Sequence, residues 1–114
     1  MLDFEKQISG EIIIEIVNLP RATTVEAAII KKRLFDNIHL SKKKIIVDMS
    51  KCDFIDEIFL GALVVSLKRS REIGGDIKVV IDPLVAKKTT NITGFLKVFK
   101  NYSSVEDALN SFRS

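Results

Sequence analysis

The sequence predicts an α/β domain: a mixed, mainly parallel β-sheet with an N-terminal hairpin and about four helices. Three observations lead there. The runs EIIIEIV (11–17) and KIIVDM (44–49) are too short for helices and apolar enough to be strands, the second buried on both faces. Longer stretches between such runs carry apolar residues at helical spacing. Ser9-Gly10 separates two adjacent strand-like runs, as a hairpin turn does. Alternating strands and helices imply parallel crossovers, and the hairpin adds one antiparallel pair.

In chain order, Phe4 to Ser9 forms the first strand, and Asn18-Leu19-Pro20 closes the second. Thr23 or Thr24 caps the first helix, with Glu26 in the first turn, where the helix dipole favours a carboxylate. Ala27, Ile30, Leu34 and Ile38 give that helix one buried face. Lys44 to Met49 is the third strand. Asp56 caps a second helix from about Glu57 to Ile73, and Gly74-Gly75 stops it. Ile77 to Ile81 is another buried strand, Asp82-Pro83 opens a third helix ending near Gly94, and Val98-Phe99 adds a short strand. Ser103 or Ser104 caps a final helix with Val105, Ala108, Leu109 and Phe112 inward.

With 114 residues, 46% of them hydrophobic and 29% charged, the chain (1–114) is expected to be one globular domain whose core needs neither disulfide nor metal. No apolar run approaches membrane-spanning length, and MLDFEKQ does not read as a secretory leader. Cys52 has no second cysteine to pair with, which suits a reducing compartment, so a cytoplasmic protein is expected. Abundant lysine and isoleucine with a single glutamine suggest a thermophilic source. The net charge of +3 is spread over short basic runs separated by acidic residues, an ordinary solvated surface rather than a direct nucleic-acid interface.

The candidates for chemistry are few. Asp48, Asp53 and Asp56 cluster near one strand end, which invites a metal or phosphoryl-transfer reading. The acidic partner such a site needs after an earlier strand is missing, since Asn18-Leu19-Pro20-Arg21 stands there, and structural roles are more economical: Asp56 as a cap, Asp53 in a turn, Asp48 in the loop network. His39 has no second ligand at zinc spacing, and nothing brings it to Cys52 as a nucleophilic pair. Phosphate-cradling glycine loops and GxSxG are absent. No enzyme, metal or cofactor is expected.

Helix two carries more information. Leu60, Leu63, Val64 and Leu67 form a core stripe, while Ile58, Ala62 and Val65 form a second stripe rotated around the axis. Either the helix is buried on most sides, or the second stripe, with Phe59 beside it at the tip, is an exposed partner surface. The second reading is the sharper expectation. Gly61 inside the helix costs about 1 kcal/mol relative to alanine, so a close packing contact is expected there.

Ile45-Ile46-Val47-Asp48-Met49-Ser50, Phe54-Ile55-Asp56, Leu60-Gly61, Gly74-Gly75-Asp76, Thr93-Gly94-Phe95-Leu96 with Val98-Phe99, and the closing helix from Tyr102 to Leu109 resemble the anti-sigma factor antagonist family, the STAS domain. The resemblance spans nearly the whole chain. It implies a non-enzymatic module that binds an anti-sigma factor or serine-kinase-like regulator. In that family a serine at the tip of helix two, within Asp-Ser-Ser-Gly-Leu-Gly, is phosphorylated to break the complex. Here Asp56 matches the aspartate, but Glu57-Ile58-Phe59 replaces Ser-Ser-Gly and Ile58 occupies the acceptor position, so phosphorylation there does not carry over. Glu57 beside it is an alternative mimic of the phosphorylated state. The expected partner surface is Arg21, Thr23, Thr24, Asp56, Glu57, Ile58, Phe59, Ala62 and Val65, with Thr23 or Thr24 as a regulatory position or, more simply, a helix cap. The alternatives are a homodimer or self-assembling signalling scaffold, and a small-ligand or nucleotide module.

Overall fold

A computed structural model describes residues 2–88 and 92–114. The β-branched runs pair as a five-stranded sheet of β1 (Phe4–Ser9), β2 (Ile12–Val17), β4 (Lys44–Asp48), β6 (Asp76–Val80) and β7 (Asn101–Tyr102), in the spatial order β1-β2-β4-β6-β7. β1 and β2 are antiparallel, with Ile8 opposite Ile13; the other pairings are parallel. A parallel ribbon not foreseen from the sequence joins β3 (Arg21–Ala22) to β5 (Phe54–Ile55).

Helices α1 (Thr24–His39) and α2 (Glu57–Glu72) lie side by side on one face. Ala27, Ile30, Leu34 and Ile38 of α1 are buried against Ile13, Val17 and Ile45 in the larger core, as expected. α5 (Val105–Arg113) covers the opposite face, packing Ala108 on Ile12, Ile14, Ile46 and Val80, with Val105, Leu109 and Phe112 partly buried around it. The sheet is therefore buried on both sides, which explains continuous runs such as Ile12-Ile13-Ile14.

Near the C-terminus the structure redraws the expected boundaries. The third helix is described as two segments, α3 (Pro83–Lys88) and α4 (Ile92–Val98); the middle of the expected helix, residues 89–91, lies outside the described residues. Gly94 sits inside α4 rather than ending a helix, and Val98-Phe99 is not a strand. Phe99 instead stacks its ring on Phe95, with centroids 4.5 Å apart, and the edge strand forms at Asn101–Tyr102.

Within the larger core Glu15 is fully buried beneath α1, sharing its sheet face with Ile13 and Val17. Arg33 Nε donates to its Oε1 at 2.7 Å, Asn37 Nδ2 donates to Oε2 at 2.8 Å, and the Lys6 ammonium lies 3.6 Å from Oε2. A buried carboxylate is tolerated because these groups replace its water. The end of α2 is similarly constrained. A Cβ on Gly75 would come within 2.8 Å of the Lys43 carbonyl oxygen, so only glycine fits where the chain turns back into β6.

Candidate functional site: the paired N-termini of α1 and α2

The β3–β5 ribbon sets Arg21 opposite Phe54 and Ala22 opposite Ile55, and so brings the starts of α1 and α2 together. Asp56 then serves both helices. Its Oδ1 accepts from the Phe59 backbone N–H at 2.8 Å and caps α2; its Oδ2 accepts from Thr24 N–H at 2.9 Å and from the Thr24 hydroxyl at 3.2 Å. One carboxylate thus satisfies donors from two helix N-termini, where dipoles favour negative charge. Thr23 precedes α1 as its N-cap, and the Glu26 carboxylate accepts from its N–H and hydroxyl at 3.0 Å each. The Arg21 guanidinium stacks over Phe54, 4.3 Å from the ring centroid.

Around this hub the expected surface residues divide. Arg21, Thr24 and Glu57 are exposed, Thr23 and Asp56 are partly buried, and Ala62 is half-buried. Ile58 is 57% exposed and Val65 45%. Phe59 is a correction: it is fully buried and belongs to the larger core. The reason is helical phase. Phe59, Leu63, Ser66, Leu67 and Ser70 recur at three- and four-residue steps and face inward, so the core stripe begins one residue before Leu60. Its neighbour Ile58, about 100° around the axis, faces out.

Gly61 is a second correction. Among the described residues a Cβ there would meet nothing within 4 Å, so no contact among them requires glycine. It lies between two shallow apolar grooves. One, of about 260 Å³, runs between α1 and α2 and is lined by Ala28, Lys31, Ile58, Gly61, Ala62 and Val65 among others. The other, of about 240 Å³, runs between α2 and α4 along Leu60, Gly61, Val64, Phe95 and Val98. On α1, Val25 at 76% and Ile29 at 46% exposure extend the outward apolar surface. They were not singled out from the sequence, although their four-residue spacing, off the buried stripe, marks a second face.

The polar groups nearby have structural tasks. Asp48 Oδ1 accepts from Ser50 N–H at 3.0 Å. Burial, reinforced by the Asp48, Asp53 and Glu26 carboxylates, pushes the Cys52 thiol up from 9.0 to about 12, so it stays protonated and unreactive at neutral pH. Cys52 senses Glu26 in the first turn of α1, whereas His39 ends that helix about 20 Å further along, so the two do not form a nucleophilic pair. Among the described residues no group of three or more His, Cys, Asp or Glu is placed to hold a metal ion, and no helix is long and apolar enough to cross a membrane.

Comparison with known proteins agrees with this architecture. No curated protein matches the chain. Among solved structures, an anti-sigma factor antagonist from Mycobacterium paratuberculosis superposes with a TM-score of 0.84 at 19% identity, covering 97% of this chain and 93% of that one. A Thermotoga maritima protein gives 0.84 at 24% identity, over 97% and 95% of the two chains. The Bacillus cell fate determinant SpoIIAA in its phosphorylated form gives 0.71 at 13% identity, over 96% and 99%. At these identities the likeness is one of fold. The model of the STAS domain matches residues 6–108, nearly the whole chain, and the protein belongs to the STAS domain family.

Proposed function

We propose that this chain is a non-enzymatic, cytoplasmic interaction module that binds an anti-sigma factor or a related serine-kinase-like regulator through the outer face of α2 and the adjoining start of α1. The family supports a regulatory protein-binding role, and several structural neighbours are described as anti-sigma factor antagonists. The observation that carries the assignment to α2 is Gly61. A mid-helix glycine is kept at a cost of about 1 kcal/mol, with open space above it and two apolar grooves beside it. A partner that packs against the bare helix accounts for that cost.

Ile58 is the anchor of this surface. Covering its exposed side chain contributes on the order of 1–2 kcal/mol before the costs of association. Because isoleucine has no hydroxyl, the tip is a permanent apolar contact that phosphorylation at that position does not release. Phe59 supports it from beneath without touching the partner. Asp56, Thr23 and Thr24 hold the two helix starts in register, and Arg21 and Glu57 flank the contact.

The test is titration of purified anti-sigma factors and kinase-like regulators from the source genome against wild type and Ile58→Glu. One regulator should bind wild type and fail to bind the variant. A regulator that binds both equally removes α2 from the interface.

A further inference from the structure

The surface between α1 and α2 changes character along its length, and the change describes what fits it. At the N-terminal end it is aliphatic, with Ala28, Ile58, Ala62 and Val65 forming its walls. Beyond the groove, about 16 Å along α2 and three helical turns from Ile58, the surface of the helix pair becomes basic. There Lys31, itself a wall of the groove, and Arg69 converge on the Phe35 ring, with Lys31 Nζ 5.6 Å and Arg69 Cζ 5.7 Å from its centroid. Lys68 follows on the same outward stripe of α2, three residues after Val65, and is exposed.

Counter-charge at this end is sparse. Asp36 is engaged by Lys32 at 2.9 Å, and Glu72 lies 3.8 Å from Arg69. Lys31 has no ion-pair partner among the described residues. At the opposite end the Asp56 carboxylate is taken up by the two helix starts, and the exposed Arg21 guanidinium is stacked on Phe54.

We infer that this groove takes an amphipathic helical segment of a partner protein, whose aliphatic side chains seat on Ile58, Ala62 and Val65 and whose carboxylates point to Lys31 and Arg69. The inference rests on the reading of this face as a docking surface and adds the chemistry and direction of its occupant. An apolar groove between two helices with a basic surface beyond its end matches a helix with apolar residues at three- and four-residue steps followed by aspartate or glutamate. The basic pair sets the direction, because only one orientation of the segment brings its carboxylates to Lys31 and Arg69 while its aliphatic side chains lie on Ile58, Ala62 and Val65. An anionic membrane or an RNA strand suits the surface less well. Both favour a continuous basic face, whereas this one is basic at one end only, and its centre is aliphatic rather than aromatic.

The test uses a displayed library of helical peptides of about 16 residues, selected on the intact chain, with wild type, Ile58→Glu and Lys31→Glu/Arg69→Glu compared afterwards. Selected peptides should carry aspartate or glutamate about one to two turns beyond an aliphatic cluster and bind less well as salt rises. The double charge reversal should slow association about ten-fold or more, and Ile58→Glu should abolish binding. Should the reversal perturb folding, as thermal melting would reveal, Lys31→Gln/Arg69→Gln replaces it, with a smaller loss of the same sign. Peptides without acidic residues that still depend on Ile58 overturn the inference and leave the docking face standing. Peptides indifferent to both positions, or a library that yields no binder, overturn both. Phosphatidylserine vesicles or single-stranded RNA that bind wild type but not the charge variants would reassign the basic end to those partners and overturn the peptide.

Discussion

The two faces of α2 have similar aliphatic composition and opposite surroundings. On the inner face Phe59, Leu63 and Leu67 are fully buried among sheet and helix residues. On the outer face Ile58 and Val65 remain about half exposed, with Ala62 and bare Gly61 between them. Adjacent residues at the helix tip, Ile58 and Phe59, thus do different work. The inner face holds the domain together, and the outer face is left exposed. Substitutions on the inner face should therefore change stability, while those on the outer face should change binding.

The largest effect belongs to the inner face. Phe59→Ala should cost about 3–5 kcal/mol of unfolding free energy, because it leaves a cavity under the tip; urea denaturation measures this, and a loss under about 1 kcal/mol would mean that Phe59 is not a core residue. A comparable loss, about 3–5 kcal/mol, is expected for Arg33→Met, which strips the buried Glu15 of its main partner. It should spare regulator binding once the variant is folded, since Arg33 reaches back toward the sheet rather than into the groove.

Alkaline pH gives a smaller, continuous test of the interior. The Cys52 thiol is held protonated to about 12 in the fold but ionises from about 9 when unfolded, so above pH 9 the unfolded state binds fewer protons. Stability should then fall with rising pH by up to about 1.4 kcal/mol per unit, and Cys52→Ala should remove that portion of the slope. Identical slopes for wild type and variant would show that the thiol is not shielded.

Gly61→Ala sharpens the contrast most, because its two effects have opposite signs. It should raise stability by about 0.5–1 kcal/mol by restoring helix propensity, while weakening regulator binding. A gain in stability with unchanged affinity would mean that the partner does not approach the bare helix. The smallest effect is expected at Ser70, whose buried hydroxyl has no hydrogen-bond partner among the described residues. Ser70→Ala should be neutral or stabilising by up to about 1 kcal/mol in thermal melts.

Much of this organisation was legible in the sequence. The β-branched runs, the α1 stripe, Asp56 as a cap and Gly74-Gly75 as a terminator all appear where local chemistry predicts them. What escaped lacked a periodic signal or carried two. Two-residue strands such as Arg21–Ala22 and Phe54–Ile55 have no period, so the ribbon that unites the helix starts was invisible. Phe59 fits an inward stripe with Leu63 and Ser66 as well as an outward tip, and only the packed helix chooses between them. Glu15 resembles the polar interruption of an edge strand until Arg33 and Asn37 fold over it. Arg21, Thr24, Ile58, Ala62 and Val65 were named from the sequence, whereas Val25 and Ile29 were not, and the Asp56 bridge between helices depends on contacts 32 residues apart.

The most direct measurement maps amide chemical shifts of the labelled chain as an unlabelled cognate regulator is added. The largest changes should fall on Thr24–Ile29 and Ile58–Val65, with α5 and the β1 edge undisturbed. Changes concentrated on α5 or β1, with Ile58 and Gly61 unmoved at saturation, would contradict a docking face on α2.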